Sequence, residues 1–326
     1  MLLAGFAARL HPTLEPLAGW VRTGHISLPD GESRRQRWWM GKLQAQQKAV
    51  LLDKAIGRDV ARLEALGAGR GGAWMSAPPA AGWGTCIAGH QYSLLLRWHL
   101  GEPLIPDRCA GRPCGMCGAP VDIHGDHAVS CGKVGFATRH LGVQNFICRM
   151  LTQAHIPHDR EVDVNSSGRR PADILLKAWE DDGKDCAVDL TVIHLCPPAQ
   201  GRFPPGTAAR LAANAEDHKR RESEGLCNAV GTTFTPMVMD AWGGLHGEAR
   251  ALWRKMAARC TARTTIACRS AEIGLLRQGL AVATVRAVAA QLEHLEDVTP
   301  ETPAWWTRSA LPGMALDDAG NDIAWT

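Results

Sequence analysis

The chain has 326 residues, 45% of them hydrophobic and 21% charged, with a net charge of +3. That composition can bury one large core or two to three smaller ones and excludes a disordered or fibrous chain. So mild a basic balance does not by itself imply nucleic acid, and charge has to be read locally.

In chain order, residues 1–33 give no firm pattern. The opening MLLAGFAARL is cut short by His11 and Pro12, does not read as a secretory leader, and no apolar run reads as long enough to cross a membrane. From Arg34 to Leu66, Leu43, Val50, Leu51, Ile56, Val60 and Leu63 recur near a period of 3.6 and predict a helix. Gly and Pro in GAGRGGAWMSAPPAAGWG, Gly67 to Gly84, break it into a loop, and a shorter helix is expected over His90 to Leu100. After a Cys- and His-dense segment, Phe136 to Ala154 is helical, with Phe136, His140, Val143, Ile147, Met150 and Ala154 on one face. Three strand-like runs follow, near Arg160–Val164, Ala172–Ala178 and Cys186–Ile193. Then come a helix from Thr207 to about Gly225, a strand over Phe234 to Asp240, and a basic helical region from Gly247 to Leu295, broken near Gly274 and Gly279. The pattern predicts an α/β fold with a mixed central sheet flanked by helices. The expected organisation is a helical N-terminal region (1–105), a small zinc knuckle (106–135), the sheet domain (136–260), and a basic helix with an irregular tail (261–326).

The eleven cysteines are odd in number and irregular in spacing, which suits reduced thiols and a metal site, not a disulfide framework. Cys114, Cys117, His127 and Cys131 supply three thiolates and an imidazole, a set that suits tetrahedral, structural zinc. His124 competes with His127, and Cys109 could replace one of the thiols. Gly115 and Gly118 allow the tight turn between the first pair.

Two acids, Asp173 and Asp189, lie inside apolar strand patterns, where a bare carboxylate is costly. In strand register Asp173 shares a face with Leu175, and Asp189 with Thr191. On neighbouring strands they can converge on one divalent cation, which in place of a protein cation would balance them, and magnesium suits such oxygen ligands; Glu161 in the preceding strand is a candidate third acid. The competing reading pairs Asp189 with Arg169 or Arg170. Lys219 falls on the core-facing stripe Ala208, Leu211, Ala212, Ala215 and Leu226, which asks for a reason. That reason is either a water or phosphate to act on, or a pair with Glu222. Arg254, Lys255, Arg259 and Arg263 form a basic stripe able to neutralise DNA phosphates; the competing reading is a solvated face.

Taken in order, CGMCG…GDHAVSC, Arg139–His140, Glu161, RPAD, VDLTV and Lys219 resemble the C-terminal part of non-LTR retrotransposon polyproteins of the early-branching, often site-specific class. GAGRGGAWMSAPP upstream and FTPMVMDAWGGLHGEA downstream are similar to segments of the same proteins, so the likeness covers Gly67 to Arg259. It implies a zinc knuckle before a restriction-endonuclease-like domain of the PD-(D/E)xK kind. Asp173 and Asp189 would be magnesium ligands, Glu161 an additional acid and Lys219 the catalytic lysine. DNA would be the substrate, with Arg139 and His140 at the DNA, element RNA a further candidate partner, and the nucleus the location. In the parent elements such a cut exposes a 3′ hydroxyl that primes reverse transcription. Several features depart from the pattern: Thr191 stands where many such nucleases carry the lysine, the proline–acid motif is spaced out as Pro171-Ala172-Asp173 with fifteen residues between the acids, and no polymerase signature accompanies the domain.

Overall fold

The computed structural model describes residues 32–55, 57–68, 71–133, 135–164, 168, 171–196, 203–262 and 265–295. Residues 1–31, 296–326, Arg169, Arg170 and Arg263 lie outside them. The helical elements are α1 (Glu32–Lys54), α2 (Arg58–Ala68), α3 (Gly89–Leu100), α4 (Asp126–Ser130), α5 (Phe136–Gln153), α6 (Thr207–Lys219), α7 (Gly225–Asn228), α8 (Ala249–Cys260) and α9 (Ile266–Leu292). The strands are β1 (His158–Val162), β2 (Ala172–Leu176), β3 (Cys186–Ile193) and β4 (Thr233–Asp240).

Among the described residues the strands form one sheet in the order β1-β2-β3-β4. β1 and β2 are antiparallel, as are β2 and β3, while β3 and β4 run parallel. The parallel step follows from α6 and α7, which carry the chain back across the sheet. β3, CAVDLTVI, is central and almost wholly buried, which is why its sequence is nearly continuous in apolar residues. β1, HDREV, is a short, charged, mostly exposed edge, a composition that discourages pairing with other chains.

One sheet face packs Ile174, Leu176, Val188, Leu190 and Val192 against Val143, Ile147 and Leu151 of α5 and Leu252, Trp253 and Met256 of α8. The opposite face holds Leu175, Ala187 and Phe234 against Cys227 of α7. A further core joins α2, α3, the knuckle and α9 through Ala61, Leu95, Trp98, Val129, Val285 and Leu292. Leu280 of α9 belongs to the first of these clusters and Ala281 and Val282 to the last, so this helix ties the knuckle to the sheet. The compositional boundary at residue 261 is therefore not a packing boundary.

Several expected boundaries shift. The first helix is two, parted around Gly57, whose φ of +53° suits glycine. The basic helical region breaks after Cys260, and α9 runs unbroken through Gly274 and Gly279. A side chain at Gly279 would come within 2.7 Å of the Phe146 ring, so this glycine lets α9 approach α5 closely and does not end a helix. By length and composition α9 could also cross a membrane over Cys268–Leu292, contrary to the sequence reading; half of that window is buried inside the fold, as a core helix would be.

Candidate functional site

Two clusters of chemically active side chains stand out. The first is the knuckle. Residues 111–121 form a small hairpin, closed by Gly111 N–H donating to Val121 O (2.8 Å) and Val121 N–H donating to Arg112 O (2.9 Å). At its tip Cys114 N–H donates to Ala119 O and Gly118 N–H to Cys114 O, both at 2.8 Å, which turns Cys114 and Cys117 to the same side. Asp122 receives the backbone N–H groups of His124, Asp126 and His127 and so starts α4. α4 delivers His127, and Cys131 follows it directly. The ligand atoms of Cys114, Cys117, His127 and Cys131 all lie within 4.8 Å of one another, a set that could hold a metal such as zinc. Burial raises the Cys114 thiol, but the N–H groups of Met116 and Cys117, with His127, outweigh it and bring it down to about 6. A thiol so lowered is a thiolate near neutrality, the form that binds metal.

The knuckle is anchored by a buried charge network. Asp126 of α4 accepts Arg58 Nη2 of α2 at 2.9 Å, accepts Arg58 Nε as well, and meets His194 Nε2, just past β3, at 3.0 Å. Burial alone would raise its carboxyl; His194 and Arg58 hold it well below the usual carboxylate range. Trp98 and Trp242 stack 4.7 Å apart, and the His194 ring lies against both.

The second cluster is a cleft of about 430 Å³ lined by residues that include His140, Asp173, Thr191 and Lys219. The β2–β3 register pairs Ile174 with Val188, Leu175 with Ala187 and Leu176 with Cys186. Continued by one residue, it sets Asp173 opposite Asp189. Asp173 Oδ2 accepts the Leu190 N–H at 2.5 Å, so the acid caps the ladder where its pairing stops. Its Oδ1 lies 3.3 Å from His140 Nε2 of α5. Asp189 Oδ1 lies 2.8 Å from Lys219 Nζ, and its Oδ2 accepts the Ser223 hydroxyl at 3.4 Å.

Lys219 is thus on the same side of the sheet as both acids. The alternative pair with Glu222 does not form; Glu222 meets His218 instead, at 3.3 Å. Immediately after Lys219 the helix opens into a π turn, Arg220–Glu224. The wider turn delays the inward stripe, so that Ser223 and Cys227 follow Lys219 on the face toward Asp189, where Leu226 had been expected. Such π turns recur at functional sites.

Glu161 joins the cleft from the β1 edge. The β1–β2 register, Arg160 with Ile174 and Val162 with Ala172, leaves it opposite Asp173. Its φ of +51° is a left-handed conformation unusual for a residue with a side chain, the kind of local strain that gathers at functional sites. Gln144 of α5, fully buried, donates to Glu161 Oε1 (2.7 Å) and to the Asp173 carbonyl (2.8 Å) and accepts from Arg160 Nη2 (2.8 Å). Sequence reading missed Gln144 and Ser223; the only signal was their position one turn beyond His140 and Lys219.

Burial pushes the Asp189 carboxyl up to about 6; Lys219 pulls it down and the neighbouring Asp173 pushes it up again. The bond to Asp173 raises His140, against burial, with Glu161 adding to the rise and Lys219 opposing it. The five side chains therefore share one electrostatic site.

Three expectations need correction. The acids do not stand without a protein cation: Lys219 and His140 face them. Arg139, expected at DNA, is 3% exposed and donates inward to Val129 O, Gln291 Oε1 and Val192 O. Burial lowers its guanidinium to about 10. It is a strut of the cleft wall. The basic stripe is divided: Arg254 is exposed, but Lys255 donates to Glu180 (2.7 Å), Arg259 donates to Trp179 O (2.7 Å), and both lie over the Trp179 ring.

Two of the segments that carry the family likeness meet in space. Gly71 packs so closely on Trp242 that a side chain there would come within 2.9 Å of its Cβ. Asp240 accepts the N–H groups of Trp242 (2.8 Å) and Gly244 (2.9 Å) and meets His246 Nε2 at 2.7 Å, all buried. The MDAWGGLH run is thus a turn clasped by its own acid and histidine, with a structural role. No protein-family model matches the chain, and no curated protein matches it.

Proposed function

We propose that the chain is a divalent-metal-dependent DNA endonuclease domain with a restriction-endonuclease-like fold. It would be of the kind that follows a zinc knuckle in non-LTR retrotransposon polyproteins and would act in the nucleus on target-site DNA. The observation that carries this reading is the placement of Asp173 opposite buried Asp189, with Lys219 on Asp189, where Asp173 and Lys219 line one cleft. The helix, three strands, helix, strand order of α5 to β4 supports it.

The donor set fits magnesium: facing carboxylates whose mutual repulsion a small hard cation would relieve. Asp173 and Asp189 would hold it, with Glu161 at the edge. Bound there, the ion supplies charge stabilisation at the phosphate and lowers the pKa of water. Lys219, already a hydrogen-bonding distance from Asp189, would release that acid to the ion and turn its ammonium to the scissile phosphate or to the attacking water. Ser223 steadies Asp189, and Leu190 N–H steadies Asp173. Exposed Arg254 would add sequence-independent affinity.

A second reading is a DNA-binding module that has lost cleavage. It is favoured by one observation: Lys219 already pairs with Asp189, and His140 already meets Asp173. Nicking of supercoiled plasmid separates the two. The endonuclease nicks only with a divalent ion and loses nicking on Asp189→Ala; a module that binds plasmid without nicking it under any divalent ion supports the second reading.

A further inference from the structure

We propose that His140, Glu161 and Asp173 form a seat for a first-row transition ion of the manganese type, sharing Asp173 with the Asp173–Asp189 pair. The proposal deepens the nuclease reading of the same cleft. One ligand atom from each of the three residues lies within 4.8 Å of the others. The His140 Nε2 to Asp173 Oδ1 distance is 3.3 Å. That is long for an N–H···O bond, whose usual length is about 2.9–3.0 Å.

The chemistry of the set is distinctive. Magnesium prefers oxygen donors throughout, whereas an imidazole beside carboxylates suits manganese, zinc and their neighbours. The seat also has the outer support that metal ligands need. His140 and Gln144 stand one turn apart on α5. The buried Gln144 amide fixes both Glu161, through Oε1, and the β2 backbone at Asp173. An exposed acid on an edge strand gains nothing obvious for the fold from a buried glutamine. Holding Glu161 in place for a cation accounts for that bond.

The test is manganese binding to the full-length protein carrying one zinc per chain, without DNA, read from loss of the free-ion electron paramagnetic resonance signal. Zinc-loading keeps the knuckle filled, and manganese is the probe because its free-ion signal reports binding directly. One manganese should bind per chain, and His140→Ala and the exposed-site variant Glu161→Gln should each weaken it about tenfold or more. An equal concentration of magnesium should fail to displace it. Wild-type affinity in His140→Ala, absence of manganese binding in the native protein, or displacement by equal magnesium would each overturn the seat. Manganese binding that depends on His140, in a protein that nicks no DNA with any ion, would keep the seat and remove the endonuclease.

Discussion

The knuckle and the strand cleft gather their active side chains in opposite ways. In the knuckle the ligands come from one short stretch, Cys114 to Cys131, brought together by a hairpin and a single turn of helix. In the cleft they come from α5, β1, β2, β3 and α6, and meet only because the sheet has a given register. A local site stands or falls with its metal; a topological site stands with the fold and adjusts its charges to what is bound. The two also differ in charge. The knuckle's anchor, Asp126, has its carboxylate held ionised by His194 and Arg58, whereas Asp189 in the cleft is held toward neutrality by burial and by Asp173.

The sharpest break between the regions should come from chelation. The purified chain should carry one zinc, and stripping it should release the knuckle, since structural zinc sites contribute about 10 kcal/mol or more of binding free energy to small folds. Cys117→Ser should lose the zinc and lower the melting temperature by many degrees, as read by metal analysis and calorimetry. Unchanged melting in a zinc-free protein would show that the hairpin stands without metal.

Asp126→Asn should be the next largest effect, about 3–5 kcal/mol, because it leaves Arg58 buried without its counter-charge. The pH dependence of this acid has a definite sign. A depressed carboxyl stabilises the fold above its unfolded value of about 3.9 and loses that contribution only as pH falls through its lower folded value. Between pH 5 and 8, urea unfolding should show the Asp126→Asn deficit as a constant offset; a deficit that changes with pH across that range would contradict the assignment.

Asp189 predicts the opposite slope. Its folded value of about 6 lies above the ordinary value of about 3.9. Its contribution is therefore fully present below about pH 4 and lost as pH rises through 6, a change of about 3 kcal/mol in metal-free protein. Asp189→Asn should flatten this slope. Magnesium should offset it above pH 6, by about 2.7 kcal/mol at a hundredfold excess over its dissociation constant. A flat wild-type profile would remove the account of the cleft as a strained pair of acids.

The smallest effect concerns the basic stripe. Lys255→Glu with Arg259→Glu should loosen the β2–β3 hairpin at Trp179, costing about 1–2 kcal/mol for the lost pair and ring contacts. The salt dependence of DNA binding should hardly change, while Arg254→Glu should reduce it. The reverse ranking would restore the stripe as a DNA surface.

Much of this was legible in the sequence, for physical reasons that differ between the regions. Ligand spacing picked out the knuckle because its geometry is local. Short apolar strand-like runs located β2, β3 and β4, and the stripe through Ala208 and Leu211 placed Lys219 toward the core. What sequence could not carry was the partner of each charge. Arg139 and His140 are adjacent, yet one lies buried as a strut and the other opens on the cleft, a split decided by how α5 sits on the sheet. Lys255 and Arg259 look like a free stripe until Trp179 is folded beneath them. Gly279 reads as a helix break until Phe146 is seen against it.

The most direct test of the cleft is a paired measurement on the wild type and Lys219→Ala: magnesium-dependent nicking of supercoiled plasmid, and magnesium-induced stabilisation against heat. In the proposed reaction the lysine would act on water and phosphate and leave the ion to the acids. Lys219→Ala should therefore keep the thermal shift and lose nicking to background, while Asp189→Ala loses both. Full nicking by Lys219→Ala and Asp189→Ala would contradict the account.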